Sequence, residues 1–488
     1  GAYTDRTSDQ NVDYTDYLFV GQYLPYYICD YYVTYTSFAP GNVPTGSCGA
    51  PNLLVDSTTS TEVTTHELRI SGPINDTMSF TAGAFTSDLE LKELNLFNYP
   101  GSVGNDITYA PNYALTDISS TGAINNGAAG WFSAGPYSEP VIFFNDIKRT
   151  DKQKGIFGEI RMDVSETSEL TVGARWYDIE VDFEGSANSS FSNGFGNTDQ
   201  QKFGTNLSAQ YAPGNAGGYP DTAGSDGVIG KITYSWNPSE DLMYYVTWSE
   251  GFRPGLLNRP VGRSNAAGTY SVKPVVESDE VTNLEFGWKA VLADGKLRFN
   301  GSAFMVDVSG LQTTVFDPSI VNLFFSDNAA DAEISGVEGD FIYIPEAEGW
   351  TISGAFSLLN TEITKSLVPT DDIKVGSDLA FAPGIQGNLA ARKEWSMASG
   401  NTGHYQAQLT WSDDSFSDVM EPNRAVQDSY SFINVRAGIS NDAWLAEMYI
   451  DNITDERAEI NNTFVFDRQR VGIIRPTTLG LRFKRFFN

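Results

Sequence analysis

The sequence predicts an all-β fold: a transmembrane antiparallel up-and-down β-barrel, with long loops at one end and short turns at the other. Three observations carry this. Runs of strand length with alternating polarity recur along all 488 residues. Short and long connections between those runs alternate without exception, an asymmetry that outer-membrane barrels have and Greek-key sandwiches have no reason to keep. Tryptophans gather on the apolar parity of the strands and mostly at their ends, as in the aromatic girdles of membrane–water interfaces.

The runs fall near 1–20, 62–71, 77–91, 151–163, 168–183, 226–237, 240–251, 279–291, 296–308, 331–344, 350–363, 384–395, 403–411, 430–440, 442–452 and 475–487, which makes 16. Side chains along a strand alternate faces with period two. In "EVTNLEFGWKAVLADGKLRFNGSAFMV" (280–306), Leu284, Phe286, Trp288 and Ala290 share one face, with Asn283, Glu285, Gly287 and Lys289 on the other. After "ADG" the split repeats, with Leu297, Phe299, Ala303 and Met305 against Lys296, Arg298, Asn300 and Ser302. The "DG" pair favours a hairpin because Gly accepts positive φ. Strands 226–237 and 430–440 obey the same rule: Val228, Ile232, Tyr234 and Trp236 face out, as do Ile433, Val435, Ala437 and Ile439.

The short connections are 72–76, 165–168, 237–240, 292–296, 345–349, 396–402 and 441–442; between them stand loops such as 21–61, 92–150, 184–225 and 252–278. In a meander every short turn then lies at one end. Trp236, Trp350, Trp395 and Trp444 sit beside the turns, Trp248 and Trp411 toward the loops, and Trp131 within a loop. The apolar face is therefore expected to meet lipid and the polar face to line a wet lumen. Closure satisfies the backbone hydrogen bonds that a bilayer leaves without partners.

Composition agrees. No stretch approaches 18 consecutive apolar residues, so no transmembrane helix is predicted, while a barrel strand needs only about 9–11 alternating residues. No charged-then-apolar leader opens the chain, and any signal peptide is expected to have been removed or to lie outside this sequence. Lys and Arg total 31 against 62 Asp and Glu, a net charge of −31 that argues against a nucleic-acid partner. Cys29 and Cys48 are the only cysteines. One disulfide in an oxidising compartment fits them, worth roughly 3 kcal/mol in the chain-entropy model, with two free thiols as the alternative.

Five segments, in order over the last 240 residues, resemble the barrel of TonB-dependent outer-membrane receptors: "WSEGFRPGLLNR" (248–259), "ESDEVTNLEFGWK" (277–289), "DAEISGVEGDF" (331–341), "MYIDNITDERA" (448–458) and "RPTTLGLRFKRFF" (475–487). "THELRISG" (65–72) and "FTAGAF" (80–85) extend the likeness, which is greatest to iron–siderophore receptors. The resemblance implies a bacterial outer-membrane location and active uptake of a scarce ligand such as a ferric siderophore or similar metal chelate. It also implies contact with outer-membrane lipid and lipopolysaccharide, and coupling to the TonB complex through an N-terminal plug. Such receptors have 22 strands, so residues 1–488 are expected to be the last 16, with the plug and first strands outside this sequence. A closed 16-stranded passive porin is the alternative, and a structural or adhesive envelope protein a third.

No enzyme motif, Gly-rich phosphate loop or paired-Cys metal spacing appears, and the expectation is a non-enzyme without cofactor or bound metal. His66 and His404 are expected a membrane thickness apart, which argues against a shared metal site. Binding chemistry is read in the loops. Tyr23, Tyr26, Tyr27 and Tyr31 crowd the first long loop and Tyr137 the longest; tyrosine offers a flat apolar face with a hydroxyl. Arg253, Asn258 and Arg259 sit at the mouth, where a basic pair suits a carboxylate or chelate anion. The alternatives are girdle and loop packing for the tyrosines, and hydrogen bonding within the loop or plug contact for the mouth residues.

Overall fold

In the computed structural model the described residues are 1–13, 54–98, 141–189, 222–258, 264–265, 267–316, 324–369, 372–421, 424–465 and 468–487. The strands are β1 (Ala2–Asp13), β2 (Leu54–Asn75), β3 (Met78–Asn98), β4 (Val141–Ser165), β5 (Ser168–Ser189), β6 (Thr222–Ser239), β7 (Leu242–Arg253), β8 (Leu256–Leu257), β9 (Val275–Val276), β10 (Asp279–Leu292) and β11 (Leu297–Phe316). They continue as β12 (Phe324–Tyr343), β13 (Trp350–Ser366), β14 (Ile385–Ser396), β15 (Thr402–Ser412), β16 (Ser415–Phe416), β17 (Val426–Gln427), β18 (Tyr430–Ser440), β19 (Trp444–Asp451), β20 (Glu459–Val465), β21 (Arg468–Ile473) and β22 (Thr478–Arg485). Sixteen of them form one antiparallel sheet in the order β1-β2-β3-β4-β5-β6-β7-β10-β11-β12-β13-β14-β15-β18-β19-β22. Each predicted run has its strand in that meander. The pairs β8/β9, β16/β17 and β20/β21 are separate hairpins inside what the sequence predicts as loops.

The β10/β11 hairpin shows why register and face are fixed together. Leu284 pairs with Met305, Phe286 with Ala303, Trp288 with Gly301 and Ala290 with Phe299, so the whole apolar set shares one side. Ala293, Asp294 and Gly295 take φ of 53°, 54° and 84° in the turn, a left-handed run at which Gly is at ease. Phe286 is 45% exposed and Leu284 and Met305 are similarly open, as lipid-facing residues are. Leu68 at 79% and Ile70, Ile156, Val228, Ile232 and Trp236 extend this exposed apolar band across β2–β6. An aromatic belt runs near the short turns, with Trp236–Tyr244 and Trp288–Phe299 in ring contact and Trp350 and Trp395 both packed on Tyr405; Phe286 stands one outward position above it, touching Tyr244 and Trp288.

Several strands overshoot the prediction. β4 has 25 residues, more than twice what a bilayer crossing needs. The outward face of β4 changes character above Ile156, where Lys154 and Lys152 stand opposite Asp178 and Glu180 of β5. Those upper halves rise beyond the lipid and carry the loops. At the edges, β1 pairs with β2 alone and β22 with β19 alone among the described residues. The closed 16-stranded alternative is therefore not the architecture seen: it requires a β1–β22 ladder. In the last strand Leu479, Leu481 and Phe483 face out, and outward Arg485 lies over the Phe487 ring, 5.7 Å from Cζ to the centroid.

Candidate ligand vestibule

The mouth of the barrel is built where β7 ends, β10 begins and β11 bulges. Register shifts between Val308 and Gln312 against β12, with Gly310 at φ 67°. That bulge brings Gln312 toward Asp279, the first residue of β10 and 1% exposed. Asp279 accepts from the Arg253 backbone N–H (3.0 Å), from Arg253 Nε (2.6 Å) and Nη2, and from the Gln312 N–H (3.2 Å). Gln312 Nε2 donates to the carbonyls of Pro254 and Glu277, both at 2.9 Å. Asn328 fixes the same stretch, donating to the carbonyls of Gly310 (2.7 Å) and Glu277 (2.9 Å) and accepting from the Glu277 N–H (2.9 Å). The turn at 251–255 needs its last glycine, because a Cβ on Gly255 would lie 2.6 Å from the Val276 carbonyl oxygen.

Two apolar cores stand around this polar knot. One joins four loop-end regions through Val272, Val315, Phe325, Ile363, Val368, Ile373 and Met420. Full burial of side chains this size contributes about 1.5–3 kcal/mol each, so these loop ends are packed together. At its edge Asp327, fully buried, accepts from Tyr270 Oη at 2.5 Å and pairs with Lys273 Nζ at 3.1 Å. The other core, Tyr177, Ile179, Val181, Ala223 and Leu257, lines the inner wall, with Tyr177 stacked on Phe252 at 3.7 Å. Another ordered loop starts at Asn452 (φ 52°), whose side chain donates to the carbonyls of Glu456 (2.9 Å) and Arg475 (2.8 Å). Beside it the Thr477 backbone N–H donates to Asp455 and holds that carboxyl below the usual carboxylate range.

Of the residues singled out in the sequence, Tyr23, Tyr26, Tyr27, Tyr31, Cys29, Cys48, Tyr137 and Arg259 lie outside the described residues. Arg253 and Asn258 come to the same mouth but face different tasks. Arg253 is bound to Asp279 and to the Gln312 carbonyl (3.0 Å), with its side chain still 54% exposed toward the vestibule. Asn258, 4% exposed, spends its amide on main chain: Nδ2 donates to the carbonyls of Lys273 (3.0 Å) and Ser326 (2.7 Å), and Oδ1 accepts from the Ser326 N–H (2.9 Å). It clamps the loop to β12. Asn258→Ala is expected to cost about 1–3 kcal/mol by stranding these buried groups. The expected readout is faster proteolytic cleavage within 254–278 with an unchanged barrel unfolding midpoint; equal cleavage rates would refute the clamp.

The lumen wall below the vestibule is polar. A cavity of about 310 Å³ there is bordered by Tyr245, Lys289, Asn300, Ser302, Glu338 and Asp340. Tyr245 lies flat over Gly287 and donates to Glu285 Oε1 at 2.5 Å. Glu338 faces in, as its parity predicts. His404 and His66 stand on separate, distant strands, β15 and β2. The sequence reading missed one group in the upper wall: Phe85, Phe157, Arg175 and Tyr177. Strand parity could have found them, because they place aromatic rings on the lumen parity.

The family pattern described as TonB dependent receptor-like, beta-barrel, matches residues 2–453. The chain belongs to this family. It is an outer-membrane β-barrel, and the family and fold are those of transport receptors rather than enzymes. Among solved structures it is similar to the ferric yersiniabactin uptake receptor from Yersinia pestis, with TM-score 0.64 and 13% identity, covering 91% of this chain and 56% of that one. A siderophore receptor from Acinetobacter baumannii gives TM-score 0.58 and 17% identity, over 89% of this chain and 57% of that one. The ferripyoverdine receptor of the outer membrane of Pseudomonas aeruginosa gives TM-score 0.58 and 16% identity, over 92% and 50%. The chain thus spans about half the length of these receptors.

Proposed function

We propose that this barrel belongs to an energy-coupled receptor that takes up a scarce metal chelate, in the manner of a ferric siderophore, across the outer membrane. The observation that carries the reading is the mouth: packed loops above a wall that turns from apolar and aromatic to polar and acidic with depth, in a chain of this family. The solved relatives named for siderophores and their iron complexes support the same ligand class.

The proposal includes parts beyond residues 1–488: an N-terminal plug filling the lumen, further strands joining β1 to β22, and a TonB contact through the plug. The single-sided pairing of β1 and β22 supports the added strands. Glu285, Glu338 and Asp340 on the lumen face give a plug's basic side chains their counter-charges. Lipid and lipopolysaccharide surround the apolar band.

Conductance and uptake test this together. The native polypeptide in planar bilayers is expected to be nearly silent, and cells carrying it to accumulate radiolabelled ferric chelate only while the inner-membrane proton-motive force is maintained. Steady ohmic conductance with force-independent uptake would mean a passive channel instead.

A further inference from the structure

Four arginines face the lumen on β2–β5: Arg69, Arg149, Arg161 and Arg175. Three have a carboxylate partner. Arg69 lies 3.8 Å from Glu67, Arg149 Nε 2.7 Å from Asp151 Oδ1, and Arg161 pairs with Glu169. Arg175 has no ion pair among the described residues, and its Nε is buried with no hydrogen-bond partner. A buried guanidinium N–H without an acceptor is costly, and most such groups are paired. Among the described residues Arg175 therefore has no counter-charge, in a protein with twice as many acidic as basic residues, and its buried Nε lies against Gly155.

Its surroundings are aromatic. The guanidinium carbon lies 5.8 Å from the Phe85 ring centroid, within cation–π range. Long side chains here lie along the wall because glycines sit beneath them. A Cβ on Gly83 would come within 2.5 Å of Phe157 Cζ, one on Gly155 within 3.2 Å of Arg175 Nε, and one on Gly227 within 2.7 Å of Tyr177 Oη. Laid flat, Phe157, Arg175 and Tyr177 leave the bore open instead of reaching across it. Their level is marked by Trp176, the last apolar outward residue of β5 before Asp178 and Glu180. This is the outer edge of the membrane, at the base of the vestibule.

We propose that Arg175, with Phe85 and Phe157, contacts an anionic aromatic ring of the transported chelate: a catecholate, phenolate or aryl carboxylate. The inference rests on the chelate-uptake reading. The guanidinium supplies a planar donor for an oxyanion, and the flat rings receive the aryl face. A neutral hydroxamate chelate has no use for the unpaired charge, and an aliphatic carboxylate none for the rings.

The test is a fluorescence-quenching titration of the native full-length receptor with three probes: ferric 2,3-dihydroxybenzoate, ferric citrate and ferrioxamine B. The aryl complex is expected to bind tightest. Arg175→Gln should weaken it about tenfold or more, the order of a lost charge-assisted hydrogen bond. Arg175→Lys should recover part of the loss, and Phe85→Leu, which keeps the charge, should also weaken the aryl complex. Each variant is first checked for the heat-modifiable gel migration of a folded barrel; should Arg175→Gln fail to fold, Phe85→Leu and Arg175→Lys decide. No binding of the aryl complex, equal affinity for all three probes, or unchanged affinity in the folded variants overturns the inference. Energy-dependent uptake of citrate or ferrioxamine alone would overturn it while leaving the uptake reading intact.

Discussion

Phe286→Arg is expected to cost the barrel about 2–4 kcal/mol in a bilayer, the penalty for a cation placed near the midplane on a lipid-facing strand position. Phe286 sits in the middle of the outward run of β10, between Leu284 and Trp288, and its ring packs against Tyr244 and Trp288. The substitution loses those contacts and puts a guanidinium where no water reaches it. Lumen-facing Asn283→Arg, three residues away, is the control: its side chain points to a wet interior and should shift stability by less than about 1 kcal/mol. Denaturant titrations of both variants refolded into liposomes check the pair. Equal tolerance of the two would remove the lipid-facing assignment of the entire parity set.

That parity set is what the sequence could express. A lipid-facing position must be apolar and its neighbours must not be, so β10, β11, β6 and β18 announce their faces in ten residues each. Above the bilayer this constraint disappears. "DSTTSTEVTT" (56–65) is the upper half of β2, yet water lies on its outer face and, Val63 apart, its side chains are polar on both sides. No period-two contrast survives there, so β2, β3 and β4 were readable only where lipid touches them. The hairpins β8/β9 and β16/β17 are two residues a strand, too short for any period.

The candidate site was legible to a different depth. Composition placed Arg253 and Asn258 at the mouth, because "GFRPG" ends a strand there. Their separate tasks depend on Asp279, Lys273 and Ser326, residues 15 to 68 positions away, brought close only by the register. Arg175 makes the same point in reverse. Its inward direction follows from Trp176 beside it, but its lack of a carboxylate emerges only when β3, β4 and β5 are aligned side by side.

A second large effect is expected at Glu447. Pairing runs laterally through His404, Gly438, Glu447 and Arg482, one residue from each of β15, β18, β19 and β22. His404 is 1% exposed, and its Nε2 lies 3.0 Å from Glu447 Oε2, while Arg482 Nη1 donates to Glu447 Oε1 at 3.2 Å. Gly438 makes the contact possible: a Cβ there would lie 2.7 Å from His404 Cε1 and 2.6 Å from the Ala446 carbonyl oxygen. Among the described residues Glu447→Ala removes the only hydrogen-bond partner of the His404 ring, whose Nδ1 already has none. Arg482 is 46% exposed and can turn to water, so the cost falls on the imidazole, about 1–3 kcal/mol. Glu447→Gln keeps an acceptor and should lose less. Because β22 is held by β19 alone among the described residues, the loss should fall on the last strand first. Faster hydrogen exchange across 478–485 than across β10 is the expected signature, and uniform exchange in Glu447→Ala would refute the role of this row.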